Sequence, residues 1–311
     1  MNYFISGGAG FIGSNYVRML LKSELGPVKS VKVLDKLTYA GSLSNLSEIK
    51  NDPRFEFILG DICDEELVYK SINAGDVIVH FAAESHVDRS ISSPSEFIRT
   101  NVLGTHVLLN AAIQKKVSIF LHVSTDEVYG SIEKGDSSEL DPLSPNSPYS
   151  ASKAASDLLV RAYVKTFGLD ARITRSCNNF GPNQYPEKFI PLAIKNIQHG
   201  LPIPIYGDGT NIREWIHVED HCKGIQLVID AGKTGEIYNI GSEFSLSNLE
   251  IARLILETSG ADGSLIEFVT DRLGHDYRYS LRSGKIRNEL GFSSPKSQEF
   301  EIIKLIQLAF V

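Results

Sequence analysis

Along the first half of the chain, short runs of consecutive apolar residues alternate with longer stretches in which apolar residues recur every three or four positions. The short runs are Tyr3–Ser6, Val31–Asp35, Phe55–Leu59, Val77–Phe81 and Ile119–Ser124. A strand covered on both faces has no polar side to present, so such runs read as buried strands. Phe11–Leu25 and Ser95–Gln114 carry helical spacing, and a helix at about Tyr149–Phe167 leads to a strand at Ala171–Arg175. Strands separated by helices point to an α/β fold, a doubly wound parallel sheet with helices on both faces.

After Asn178 the pattern changes. Asn179-Phe-Gly-Pro-Asn-Gln-Tyr-Pro-Glu-Lys188 is dense in turn formers and predicts a loop. Helices at about Phe189–His199, Val218–Asp230, Leu246–Ser259 and Glu299–Ala309, mixed with short strands, predict a smaller C-terminal α/β lobe. The expected division is residues 1–178 as one domain and 179–311 as mainly the second lobe, with some segments returning to the first. Glu133–Ser147, rich in Pro, Ser and Asp, is expected to be a mobile surface loop.

Charge and composition narrow the partners. A net charge of −7 argues against a general nucleic-acid partner, which needs a basic face. A phosphorylated small molecule remains open, since a few local cations and helix N-termini can hold one. Cys63, Cys177 and Cys222 form neither a disulfide framework nor a CxxC pair, which favours a reducing compartment. Met1–Ser6 lacks the basic flank and length of a signal peptide, and no apolar run approaches membrane-spanning length. A cytoplasmic protein with no membrane partner is expected.

Candidate chemistry starts at the first strand, which runs into Gly7-Gly-Ala-Gly10-Phe-Ile-Gly13 and then a helix. Glycines at this spacing allow a tight turn, a close approach of backbone to a pyrophosphate, and a helix N-terminus aimed at the phosphates. Asp35, at the end of the next strand, is placed to accept from an adenosine ribose 2′-hydroxyl and would repel a 2′-phosphate. NAD is therefore expected rather than NADP, although Lys36 beside it works the other way. The Gly7-x-x-Gly10-x-x-Gly13 spacing resembles the Rossmann-type site of the extended short-chain dehydrogenase/reductase family. So do Gly60-Asp61-Ile62, as an adenine-contacting turn, and Phe81-Ala82-Ala83, as a loop over the middle of the cofactor.

Tyr149-Ser-Ala-Ser-Lys153 puts a phenol and an ammonium one helical turn apart. A free tyrosine, with a pKa of about 10, is a poor base near neutrality. A neighbouring Lys153 cation, together with the positive nicotinamide ring, is expected to favour the phenolate. Thr125, at a strand end, is placed to hydrogen-bond the reacting hydroxyl. Thr125, Tyr149 and Lys153 resemble the family's redox constellation.

Thr125 is followed by Asp126-Glu127-Val-Tyr-Gly130. Two carboxylates at the C-terminal end of a strand lie where open α/β sheets place their ligands. Members that only epimerise or decarboxylate generally lack this pair, whereas the nucleotide-sugar 4,6-dehydratases have it. Their reaction oxidises C4 of a hexose, takes the C5 proton, expels the C6 hydroxyl as water and returns the hydride to C6. By resemblance, Glu127 is the base at C5 and Asp126 the acid at C6; unlike surroundings would let two carboxyls divide those roles.

Four longer stretches resemble the dTDP-glucose 4,6-dehydratases: Asp35–Gly41, Ala82–Ser90, Pro186–Pro191 and Asp271–Asp276. The resemblance implies NAD contacts from Phe11, Ile12, Asp35, Lys36, Asp61, Ile62, Ala82, Thr100, Tyr149, Lys153 and Asn179, with Gly7, Gly10 and Gly13 beneath. It implies nucleotide-sugar (dTDP-glucose) contacts from Ser85, Thr125, Asn178, Lys188, Phe189, Pro204, Tyr206, Arg213, Asn248, Arg272, His275 and Asp276. Arg213 and Arg272 would supply forked donors for a diphosphate, and Tyr206 a flat face for the thymine. A UDP-glucose dehydratase, a 4-epimerase and a catalytically silent nucleotide-sugar binder stay open as alternatives. The full set Thr125, Asp126, Glu127, Tyr149 and Lys153 weighs against the last.

Leu273 stands where the family usually has proline and Arg282 where an acid is common, and Val311 ends the chain without the family's usual Trp-Tyr. His217 and His221 share the spacing of a zinc pair, but no third ligand is evident and no metal is expected. Trp215 is expected in the core. Ser95–Gln114 and Tyr149–Phe167 are the candidate helix pair for a homodimer, with burial inside the monomer equally open for the first.

Overall fold

A computed structural model describes residues 1–310; Val311 lies outside the described residues. The first half forms β1 (Asn2–Ser6), β2 (Ser30–Asp35), β3 (Phe55–Leu59), β4 (Val77–His80), β5 (Ile119–Thr125) and β6 (Ala171–Ser176). Between them run α1 (Phe11–Leu21), α2 (Glu65–Ser71), α3 (Val87–Ser92), α4 (Pro94–Phe97), α5 (Thr105–Lys115) and α6 (Pro148–Phe167). The second half adds β7 (Asn178–Phe180), β8 (Ile203–Tyr206), β9 (Ile212–His217), β10 (Ile237–Ile240), β11 (Ser245–Ser247) and β12 (Ile266–Val269). Its helices are α7 (Phe189–Gln198), α8 (Val218–Ala231), α9 (Asn248–Ser259), α10 (Gly284–Leu290) and α11 (Gln298–Ala309).

Seven strands form one parallel sheet in the order β10-β6-β5-β4-β1-β2-β3. The chain reverses its direction of winding between β1 and β4, where Tyr3 lies opposite both Val31 and Val77. That reversal opens a crevice at the C-terminal strand ends, the usual ligand position of a doubly wound sheet. Separate apolar clusters cover the two faces: Val17, Leu20, Val33 and Ile225 on one, Phe4, Ile78, Leu108 and Phe120 on the other. A third cluster, built on Ile190, Trp215, Ile251 and Ile302, is the core of the smaller lobe. α8 and β10 come from the second half yet pack on α1 and pair with β6.

Several details depart from the sequence pattern. β3 is an edge strand with Leu59 exposed, because nothing pairs on its outer side. The helix expected over Phe11–Leu25 stops at Leu21, and Ser23 then takes a left-handed conformation. Asn178–Phe180, expected partly as loop, pairs with β9. The start expected at Leu246 shifts to Asn248, because Ser247 caps α9 in a box with Glu250. The helix expected over Ser95–Gln114 is broken into α4, a wide π-helical turn at Ile98–Gly104, and α5. The extra residue in that turn swings Asn101 inward, where it bonds the Glu84 backbone and Ser152. Glu133–Ser147 is anchored rather than loose. Ser137 bridges Leu281 and accepts from Asn239, Ser144 bonds Val128, and Asn146 bonds Asp276.

Candidate active site

The glycine turn after β1 lies at the floor of a cleft at the β1/β4 reversal. Gly7 has φ +75°, and a Cβ there would fall 2.5 Å from Ala82 N. A Cβ on Gly13 would fall 2.3 Å from Gly7 O, so α1 sits against the turn only because both are glycine. At Gly10, the N-cap of α1, a Cβ would meet only Gly7 O, at 3.4 Å. Its remaining surroundings are open cleft, and no side chain caps the first N–H groups of the helix. That is the cradle a dinucleotide pyrophosphate requires. Asp35 is fixed by Ala9 N (2.9 Å) and Leu37 N (2.8 Å) at its two carboxylate oxygens. Lys36 is engaged by Asp61 at 2.8 Å, which answers its competing pull on cofactor choice. Every residue expected at the cofactor lines this one cleft: Gly7, Gly10, Phe11, Ile12, Gly13, Asp35, Lys36, Asp61, Ile62, Ala82, Thr100, Tyr149, Lys153 and Asn179. The residues present fit NAD.

At the far end of the cleft β5 ends at Thr125, and a single tight turn, Asp126–Tyr129, presents both carboxyls. Thr125 Oγ1 donates to Asp126 Oδ1 (3.1 Å) and accepts from Glu127 N (3.2 Å). Across from them stands α6, started by Ser147 and Ser150 as mutual caps with Pro148 in its first turn. Tyr149 and Lys153 therefore face the cleft one turn apart, beside Thr125, Asp126 and Glu127.

The two carboxyls have unlike surroundings. Asp126 is 3% exposed and its Oδ2 has no hydrogen-bond partner. Burial, then Glu127 and Glu214, push its pKa well above the ordinary carboxylate value, which favours the protonated form. Burial also raises Glu127, but Lys188, Arg213 and Arg272 oppose that rise. The phenol behaves differently from the expectation set by Lys153 alone. Burial and the Glu127 carboxyl push Tyr149 well above its ordinary value, against the Thr125 hydroxyl. Lys153 is itself buried and brought down to about 8. Desolvation and the neighbouring carboxyls set the direction for Tyr149.

Of the expected substrate residues, Ser85, Thr125, Asn178, Lys188 and Phe189 line this cleft, and Lys188 Nζ donates to Ser85 O at 2.9 Å. Pro204, Tyr206, Arg213, Asn248, Arg272, His275 and Asp276 lie outside its lining, in the smaller lobe. Arg272 stacks over Tyr206 (4.7 Å) and pairs with Asp88 (3.4 Å), while His275 packs edge-on to the same ring. Pro204 sits in β8 opposite Glu267, and Asn248 N donates to Asn211 O. Arg213 departs from a free fork. It lies over Tyr279 and donates to the carbonyls of Ile212, Asp276 and Tyr277. Asp276 is taken up by Asn146, which approaches from a segment distant in sequence, and by Tyr279, three residues further on. Leu273 is exposed, and the exposed Arg282 pairs through its backbone with Ser137.

Glu84, Ser124, Cys177, Gln184 and Tyr185 also line the cleft and were not singled out from the sequence. They come from loops and strand ends; Glu84 lies within the Ala82–Ser90 stretch, and the spacing of the others carries no motif. Trp215 is buried in the small-lobe core as expected, yet one edge of it reaches the cleft. His217 caps α8 by accepting from Glu219 N, and His221 bonds Asn179 at 2.8 Å. Among the described residues no three ligands gather for a metal.

Residues 4–305 match the model of the family described as GDP-mannose 4,6 dehydratase. A dTDP-glucose 4,6-dehydratase of Actinoplanes sp. is 52% identical over 295 residues, 94% of this chain and 92% of that protein. One from Streptomyces niveus is 53% identical over 296 residues, covering 94% and 88%. The crystal structure of DesIV, a dTDP-glucose 4,6-dehydratase from Streptomyces venezuelae with NAD and TYD bound, superposes with a TM-score of 0.97. It is 52% identical and covers 99% of this chain and 96% of that one.

Proposed function

From the premise that this chain belongs to the GDP-mannose 4,6 dehydratase family, we propose that it converts dTDP-glucose to dTDP-4-dehydro-6-deoxyglucose and water. In this reading residues 1–178 carry NAD, and residues 179–311 mainly carry the nucleotide sugar. NAD, when bound over Gly7–Gly13 and Asp35, supplies the two-electron acceptor for C4 and the donor for C6. Beside the positive nicotinamide ring of bound NAD, and with Lys153, the Tyr149 phenolate is favoured against burial; Tyr149 then takes the C4 hydroxyl proton while Thr125 holds that oxygen in line. The C4 ketone acidifies C5–H; Glu127 removes that proton, and Asp126 gives its own to the C6 hydroxyl, which leaves as water; as the hydride returns to C6, Glu127 gives its proton back to C5.

The observation that carries the reading is the Asp126–Glu127 pair beside Tyr149, one carboxyl buried with an unpartnered oxygen and pushed up by burial, the other drawn down by the charges of Lys188, Arg213 and Arg272. An epimerase has no task for a protonated acid at C6. Incubation with dTDP-glucose is expected to give a 4-keto product that absorbs in alkali and has lost one water by mass. Conversion of UDP-glucose alone would change the substrate, and a product that keeps its C6 oxygen would point to epimerisation. No product from dTDP-, UDP- or GDP-glucose would overturn the proposal.

Two further parts belong to this reading. Ile98, Leu103, Leu158 and Phe167 are exposed on the π-helical turn and α6, around a groove lined by Val102, His106 and Leu159. This apolar face supports a homodimer through a helix pair. Cys63, Cys177 and Cys222 are free thiols, which supports work in the reducing cytoplasm. Among the described residues no helix is long and apolar enough to cross a membrane.

A further inference from the structure

Behind the Tyr149–Lys153 pair lies a buried polar group to which the reaction above gives no task. Lys153 Nζ donates to Val123 O (2.8 Å) and stands 3.5 Å from His122 Nε2. Asp157, one turn further along α6 and fully buried, has Oδ1 3.4 Å from that same nitrogen. Its Oδ2 accepts from Arg175 Nε at 2.9 Å. Arg175, reaching in from β6, is 1% exposed and stacks over Tyr129, whose hydroxyl donates to Asn239. Tyr149, Lys153 and Asp157 thus follow one another at four-residue intervals down one face of α6.

The charges around Lys153 can be counted element by element. α6 contributes Tyr149 and Asp157, β5 His122, β4 His80 and β6 Arg175. Burial keeps both histidines neutral, His122 falling to about 4, and pushes the Tyr149 phenol up, so that without the cofactor it brings no negative charge. Burial also opposes the Asp157 carboxylate, but His122, Arg175 and Lys153 together hold it below its ordinary value. Asp157 is therefore the one anion of this group, and it alone works against the desolvation of Lys153. An isolated ammonium in such a place sheds its proton.

We propose that Asp157, held by Arg175 and lying beside His122, is a positioning residue for the redox pair, keeping the buried Lys153 ammonium charged and directed toward the cleft. This rests on reading Tyr149 and Lys153 as that pair. It differs from a purely structural role, in which Asp157 only neutralises Arg175.

The test uses Asp157→Asn, Asp157→Glu and the double variant Asp157→Asn/Arg175→Met, which removes the ion pair as a unit, so that Arg175 is not left unpaired and Lys153 alone loses its anion. Two quantities are followed against pH: the rate of dTDP-glucose conversion, and the titration of Lys153 by NMR of isotope-labelled lysine in the substrate-free protein. The Lys153 signal is identified by its loss in Lys153→Arg. In Asp157→Asn and the double variant, the alkaline fall in rate and the Lys153 titration are both expected to move down by about one pH unit. From a starting value of about 8, the rate at pH 8 relative to pH 6 then drops about fivefold. Asp157→Glu keeps both near their original positions. If Asp157→Asn and the double variant lose thermal stability while both titrations stay in place, the proposal is overturned. If the Lys153 titration moves and the rate profile does not, the coupling stands and the assignment of Lys153 to the reaction falls.

Discussion

Acid should weaken this protein through its buried histidines, and the share of His221 can be worked from its surroundings. His221 is fully buried; one ring nitrogen bonds Asn179 and the other has no partner. Burial pushes its pKa down to about 3, against about 6.5 in an unfolded chain. The folded protein therefore refuses a proton that the unfolded chain accepts. Stability is complete above about pH 6.5 and is lost as pH falls from there toward 3. At pH 5 the loss from this group is about 2 kcal/mol, one and a half units at 1.36 kcal/mol each. Glutamine at 221 can still donate to Asn179 and does not titrate. Wild type and His221→Gln should be unfolded with urea at pH 7, 6 and 5 at constant salt, following the fluorescence of the single, buried Trp215. The stability difference between them is expected to shift by about 2 kcal/mol in favour of the variant from pH 7 to pH 5. Comparing the two proteins cancels raised carboxyls such as Asp126, whose contribution runs the other way. A difference constant to within about 0.5 kcal/mol would refute the reasoning.

Other consequences are equally direct. Glu127→Gln is expected to lose elimination by about 10²- to 10⁴-fold while dTDP-glucose still reduces bound NAD, read by near-ultraviolet absorbance; loss of both half-reactions would contradict the assigned roles. Asp126→Asn keeps an acceptor for Thr125, so it too should spare the first oxidation and stall at water loss. Gly10→Ala meets only Gly7 O and should fold normally while weakening NAD at least about tenfold, a loss of about 1.4 kcal/mol, by calorimetry. Leu103→Glu with Leu158→Glu should convert a dimer to a monomer in sedimentation without changing the circular dichroism.

Much of the site could be read before the fold was known, because it rests on local spacing. Glycines three apart after a strand, a Tyr and a Lys one turn apart, and two acids at a strand end keep their relation whatever surrounds them. Gly7, Gly10 and Gly13, Asp35, Thr125, Asp126, Glu127, Tyr149 and Lys153 line one cleft for that reason. The same four-residue spacing continued to Asp157, a signal visible in the sequence but without meaning until Arg175 and His122 were placed around it. The spacing of Leu246 likewise suggested a helix two residues too early, since the cap at Ser247 depends on its bond to Glu250.

By itself, then, the sequence determined the strand–helix alternation of the first half, the cofactor turn and the spacing of the candidate reacting groups, since backbone period and side-chain chemistry are local properties. Tertiary structure alone decided the protonation of those groups. Desolvation and charge are sums over neighbours from distant segments, which is why Tyr149 is raised despite Lys153 and Asp126 is held as an acid. It likewise decided that β10 returns to the large sheet, that Asn101 turns inward, and that the forked donors of Arg213 are met by backbone carbonyls. Each of these depends on which surfaces are brought together, and no periodicity along the chain encodes that.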